Sequence, residues 1–276
     1  EKFNIQLAPI PMPELTARVK QVKEEKTEVA AVMEYCRSIM NIKIKDDELE
    51  NVAALKVAMK GLADQYGCNA VAIQCWNALQ SEIGIMPCAA NSLMNEEGIP
   101  VVCETDIHGA ITAVMVEAAG MDEARGFFAD WTVRHPDNEN GELLQHCGPW
   151  PISVAKEKPS IGYPLAFSHP GAVEAEAKHG RMTLTRFDGD NGEYSMLLGN
   201  ATGIEGPYTK GTYVWIEVEN LKRLEDKIVC GPYIHHCVGI HLDVVPVLYE
   251  ACKYLGIKPD LYDPIEEDVK AWIRGE

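Results

Sequence analysis

The chain has 276 residues, 46% hydrophobic and 24% charged, which is ordinary globular composition and enough for a large core in two domains. Its net charge of −17 speaks against nucleic acid and anionic membrane as partners, because both require basic faces. No apolar run approaches the ~20 residues of a membrane-spanning helix, and no signal-peptide pattern opens the chain.

In chain order, FNIQLAPI (3–10) reads as a strand and residues 11–40 as one helix with Pro13 near its start. A second helix covers 46–67, with Asp46 or Asp47 as its cap, acids in its first turn and Gly67 at its end. CNAVAIQCW (68–76) is a short apolar strand. Pro87 opens a helix that runs to Gly98, IPVVCE (99–104) is the next strand, and HGAITAVMVEAAG (108–120) is a small-residue helix. Apolar strands alternating with helices predict a parallel α/β sheet over residues 1–119.

From residue 120 to 276 the pattern changes to short β-like segments: ARGFFADWTV, LLQHCG, AFSHPGAV, RMTLTRF, YSMLLGNA, TYVWIEV and KIVCGPYIHHC. Turn signals separate them, so this part predicts an antiparallel sheet or barrel. HLDVVPVLYEACKYLG (241–256) closes it as a helix, followed by a short tail. DGDNGEY (188–194) lacks the glycine position and distal Glu of a calcium loop and reads as a hairpin turn. The nine cysteines are odd in number, form no CxxC and sit mostly in apolar segments. They read as free thiols in a reducing, cytoplasmic compartment.

Three clusters carry chemistry. Ligands of an open parallel sheet bind beyond the carboxyl ends of its strands. There the chain places Glu104, Asp106 and His108, with Gln74 and Trp76 ending the strand before. The bland alternative is that Glu104 and Asp106 cap the following helix. Asp130 lies among aromatics in FFADWT, in a strand that otherwise looks buried; the bland alternative is a surface position or a hydrogen-bonded core residue. PYIHHCVGIH supplies His235, His236 and His241; neighbouring strand residues point oppositely, so at most one of the first two should face a given site. His146 is a fourth candidate. Imidazole with two carboxylates is a good ligand set for Mn²⁺ or a similar divalent ion. No GxGxxG, Walker A, GxSxG or HExxH pattern is present.

At these clusters the chain resembles the later part of the L-fucose isomerase and L-arabinose isomerase superfamily. The fucose T-E-N-D segment corresponds to Cys103-Glu104-Thr105-Asp106, and F-A-D to Phe128-Ala129-Asp130. The arabinose branch has a Glu-Asp pair where this chain has Ala-Asp, so the chain sides with the fucose branch. IHHCVGIHLDVVPVLYEACKYLGI aligns without a gap with the arabinose A-H-H-T segment and its helix, and the fucose N-H-G places its histidine on His236. The resemblance implies the tail of a Rossmann-like α/β domain followed by a β-barrel domain. It implies Glu104, Asp130 and His236 as Mn²⁺ ligands, and Glu104 and Asp130 as the acid–base pair of a metal-dependent aldose–ketose isomerase working through an enediol. His146, Asp106, Trp131, Gln74 and Trp76 are the expected sugar contacts. The resemblance covers only the later part of such chains, and the expectation it carries is that the family's N-terminal region, which helps build the oligomer, lies outside this sequence. The expected setting is therefore a homo-oligomer of a longer protein, and the competing reading is a non-catalytic or regulatory sugar binder.

Overall fold

The computed structural model describes residues 2–166 and 168–276. Helices α1 (Met12–Glu25) and α2 (Thr27–Ile39) occupy the span predicted as one helix. Lys26 separates them, with φ at 62°, and its N–H closes α1 on Val22 O. FNIQLAPI is not a strand. Pro9 and Pro11 withdraw ladder donors from this stretch, and Ile5 and Leu7 lie exposed. After β1 (Asn41–Ile42), helix α3 (Asp46–Tyr66) begins with Lys45 at its N-cap; the Glu48 carboxylate accepts the Lys45 N–H at 2.8 Å. Asp46 and Asp47 thus fill the first turn rather than cap it, and Gly67 ends the helix with φ 63°.

The predicted α/β layer follows as β2 (Val71–Ala72), α4 (Ala78–Ile83), α5 (Cys88–Glu96), β3 (Val101–Val102) and α6 (Ile107–Gly120). β2 and β3 pair in parallel, Val71 with Val101 and Ala72 with Val102. Among the described residues this sheet has two strands, far fewer than a full Rossmann-like layer.

The remainder is β4 (Phe127–Arg134), β5 (Gly141–His146), β6 (Ser160–Gly162), β7 (Ala172–Glu176), β8 (Gly180–Asp190), β9 (Glu193–Ile204), β10 (Thr212–Glu217), α7 (Leu221–Cys230), β11 (His236–Ile240), α8 (Val245–Leu255), β12 (Lys258–Asp263) and α9 (Glu266–Arg274). Strands β10, β5, β4, β11, β8 and β9 join antiparallel in that order, and β9 pairs back onto β10, closing a six-stranded barrel. DGDNGEY is the β8–β9 hairpin: Asn191 and Gly192, with φ 51° and 85°, make the two-residue turn between Asp190 and Glu193. Two β predictions are corrected. AFSHPGAV becomes strand only from Ala172, and Phe167 lies outside the described residues. The KIVC of KIVCGPYIHHC belongs to α7, because Asn220 caps an amphipathic helix by accepting the Arg223 N–H at 2.9 Å.

Alternation along the strands positions the site. Phe127 and Ala129 of β4 and Cys237 of β11 pack in the barrel core with Leu144, Met182 and Leu184. Phe128, Val238 and Ile240 face the other way, into a second core with Val101, Val102, Ala113 and Val116. By the period of two, Asp130 follows Phe128 and His236 precedes Val238 on that second face, and the register sets His236 opposite Asp130. Burying both faces holds this register, because a one-residue slip would exchange the two cores. No helix among the described residues is long and apolar enough to cross a membrane.

Candidate active site

The loop after β3 delivers two acids. Glu104 and Thr105 both adopt left-handed backbone, φ 62° and 58°. Such residues cost roughly 1–2 kcal/mol each and persist where surrounding bonds impose them. Here the Thr105 N–H donates to Ile73 O at 3.1 Å and the Asp106 N–H to Cys103 O at 3.2 Å. Asp106 then caps α6 by accepting the Gly109 N–H at 2.8 Å.

Glu104 meets the barrel at His236, with Nε2 3.6 Å from Glu104 Oε2 and 3.5 Å from Asp130 Oδ1. His146 Nε2, from the end of β5, lies 3.9 Å from the same Asp130 oxygen, and His235 Nε2 lies 3.8 Å from it. Both members of the His-His pair therefore reach Asp130, against the alternation rule, because His235 sits in the bend before β11 and not in the strand. Phe128 packs against the rings of His146 and His236, with centroids 5.4 and 4.6 Å away.

Behind this group stands a buried ionic chain. His236 Nδ1 is 2.8 Å from Asp106 Oδ2. Arg186 donates to both oxygens of Asp106 and also to Asp188 Oδ2, through Nε at 3.1 Å and Nη2 at 3.0 Å. Asp188 Oδ1 meets His108 Nδ1 at 2.7 Å. Burial works against the charge on Asp106, but hydrogen bonds from His236 and Arg186 outweigh it and hold the carboxyl well below the usual range. Burial likewise opposes a charged His236, yet Asp106 and Glu104 push it up to about 9. Burial pushes Asp130 up to about 7, with His236 pulling down and the Glu104 charge adding to the rise. His146 is driven down to about 4, chiefly by burial. His236 lowers Glu104 against a smaller effect of burial, and a hydrogen bond from Trp76 helps.

Asp130 Oδ1, His146 Nε2 and His236 Nε2 are buried without a hydrogen-bond partner and lie within 4.8 Å of one another. Glu104 and His235, both exposed, form a second group with ligand atoms within 4.8 Å of one another through the same buried His236. Orphaned buried atoms need an explanation, and convergent carboxylate and imidazole atoms suit a divalent cation. The residues fit a metal site. A third group, Glu176, His179 and Glu205, has Lys156 within 3.4 and 3.2 Å of its two carboxylates, so part of its charge is already met by the protein's own cation.

Of the residues expected from sequence, Glu104, Asp106, Asp130, His146 and His236 come together. Trp76 is 42% exposed and touches Glu104; Gln74 lies exposed after β2. Trp131 turns with Phe127 and Ala129 to the barrel core, on the opposite face from Asp130. His241 bonds Lys178 O at 2.8 Å, apart from the cluster. Arg186 and Asp188 went unseen in the sequence. Their signal is two charged residues, two apart on one strand face, within an otherwise apolar run.

Fold and site define a mixed α/β protein whose closed antiparallel barrel and parallel α/β layer meet at a cluster able to hold a metal ion. No family model matches the chain. It is similar to sulfoquinovose isomerases of Priestia aryabhattai and of Priestia megaterium (strain ATCC 12872 / QMB1551), 27% identical over 235 residues in each case. Those matches cover 82% of this chain and 51% of each relative. A sulfoquinovose isomerase of Alkalicoccus urumqiensis is 24% identical over 267 residues, covering 92% of this chain and 58% of that protein. The chain thus spans about half the length of the first two relatives.

Proposed function

We propose that this chain carries the reaction centre of a metal-dependent aldose–ketose isomerase of the fucose/arabinose type. The observation that carries the reading is the convergence of Glu104, Asp130 and His236 from three separate elements, with buried, unpartnered atoms on the last two. Likeness to proteins named as sugar isomerases supports it. In this reading Glu104, Asp130 and His236 hold Mn²⁺ or a similar divalent cation. When bound, the ion supplies positive charge beside the sugar oxygens at which negative charge develops.

The protein's own groups do the proton work. Glu104 Oε2, held ionised, takes the proton from the carbon next to the carbonyl and returns it to the former carbonyl carbon, while Asp130 Oδ1 takes the proton of the neighbouring hydroxyl and passes it to the former carbonyl oxygen. Arg186 and Asp106 fix the His236 ring. Phe128 and the barrel core exclude water beneath it, and Trp76 steadies the Glu104 carboxylate. The substrate class is an aldose, with the sulfonated hexose in the relatives' names the first to test. The reading carries with it a division at residues 119 and 120, a Rossmann-like origin for the β2–β3 layer, and a homo-oligomer in the cytoplasm.

The test is ketose formation by the purified chain with Mn²⁺, from sulfoquinovose and from neutral aldoses. Glu104→Gln should lower turnover by about 10²–10⁴-fold while circular dichroism stays unchanged. Undiminished turnover in that variant removes the mechanism. Sugar binding with no turnover in the parent chain favours the non-catalytic reading instead.

A further inference from the structure

The two buried histidines at the site face the same carboxylate oxygen. Asp130 Oδ1 is 3.5 Å from His236 Nε2 and 3.9 Å from His146 Nε2, and the ring centroids are 6.4 Å apart. Both nitrogens are buried and unpartnered. By position alone they look equivalent, and either could ligate an ion.

Their far sides make them different. His236 Nδ1 faces Asp106 Oδ2 at 2.8 Å. Asp106 also accepts from Arg186 and from the Gly109 N–H, and an ionised carboxylate can only accept. When the His236 ring is neutral its proton therefore sits on Nδ1, and Nε2 turns a lone pair toward Glu104 and Asp130; a cation bound there takes the place of the second proton that the surrounding carboxylates otherwise hold on the ring. At His146 the arrangement is reversed. The backbone N–H of Cys147 donates to His146 Nδ1 at 2.9 Å. That bond occupies the Nδ1 lone pair, so the ring proton sits on Nε2. Flipping the ring would place a carbon opposite the Cys147 N–H and forfeit the bond. His146 is 3% exposed, its Nε2 has no hydrogen-bond partner, and Asp130 Oδ1 is beyond hydrogen-bond range at 3.9 Å.

We infer that the pair is split by tautomer: His236 is a ligand, while His146 is a fixed N–H donor that does not ligate and instead binds a substrate oxygen lying beside Asp130. This deepens the isomerase reading and rests on it for the identity of the oxygen. A cation is attracted by the lone pair of His236 and repelled by the N–H of His146, so Glu104, Asp130 and His236 form the ligand set. The His146 N–H fits an oxygen that gains negative charge as the neighbouring carbon loses its proton. A buried donor aimed at that position, without a protein acceptor to satisfy it, stabilises the charge as it appears.

Three measurements on the full chain test this. First, two-bond ¹H–¹⁵N spectra read each imidazole tautomer with no metal or sugar added. Nε2–H at His146 is the expected result near neutral pH, and Nδ1–H at His236 once the pH is raised past about 9 and its ring becomes neutral; Nδ1–H at His146 overturns the inference. Second, Mn²⁺ alone is titrated by the electron paramagnetic resonance of the free ion. His146→Leu should keep the parent affinity within about twofold, whereas His236→Leu should lose more than about tenfold. An equal loss in both makes His146 a ligand and overturns the inference. Third, His146→Leu should lower turnover about 10²-fold, with partial recovery in His146→Gln, whose amide keeps an N–H near the same place. Full turnover in His146→Leu overturns the donor role. If no sugar is turned over by the parent chain, the isomerase reading fails, and the tautomers and Mn²⁺ affinities still decide the division between the histidines.

Discussion

Asp106 carries more of this site than its place in CETD suggests. Read from sequence it is a helix cap, and it is one, but the same carboxylate anchors His236 and receives Arg186. Glu104, Asp130 and His236 were legible because acids and imidazoles at strand ends are conspicuous. Arg186 was not, since an arginine in RMTLTRF looks like one more outward-facing strand residue, and only the tertiary fold shows it 1% exposed between two acids. Removing it strands two buried carboxylates. Arg186→Met should therefore destabilise the chain by about 3–5 kcal/mol, measured as a lower urea midpoint. Asp106→Ala releases the His236 ring and should weaken Mn²⁺ binding by about 10–100-fold, measured by free-ion titration. Unchanged affinity in Asp106→Ala would show that His236 is held by packing alone.

Helix ends fall where the sequence predicts them when caps and breakers agree, as at α3 with its acidic first turn and Gly67, and at α5 after Pro87. Sequence and structure part where a tertiary partner decides the outcome. FNIQLAPI has strand-forming residues but no neighbouring strand among the described residues, and KIVC was pulled into α7 by the cap at Asn220, upstream of where its strand-like run begins. The α1–α2 break has no glycine or proline to announce it; Lys26 alone carries a positive φ of 62°, with ψ at −35°. That position gives an element-level prediction. Lys26→Gly fits the same turn without the Cβ clash, so it should stabilise the chain by roughly 0.5–1 kcal/mol despite the added freedom of the unfolded state. Equilibrium unfolding in urea measures this, and a loss of stability would mean the lysine stem contributes more than its strain.

At the scale of the whole molecule, short β-like segments separated by turn signals predict an antiparallel sheet or barrel, and in the structure the burial of both faces holds the register that sets His236 opposite Asp130. Closure through β9 and β10 was not legible, because it joins segments whose pairing depends on barrel geometry rather than on any local turn. The charge of −17 was legible, and it bears on stability. A chain this acidic repels itself more as pH rises. Glu142, at the opposite end of β5 from His146, adds to the trend: burial first, and the Glu225 charge after it, push its carboxyl up to about 7 against Arg134. A carboxyl raised in the folded state binds its proton more tightly there than in the unfolded chain. Folding is thus favoured by protonation below the ordinary glutamate range, and that advantage is lost as pH climbs from about 4.5 to 7. Both effects have the same sign, so the urea midpoint in the presence of a chelator should fall from pH 5 to pH 8. Glu142→Gln keeps the shape without the titration and should flatten the part of the slope between pH 4.5 and 7, gaining about 1–2 kcal/mol at pH 7 relative to the parent. A parent slope of the opposite sign, or one that Glu142→Gln leaves untouched, would place the controlling carboxylates elsewhere in the fold.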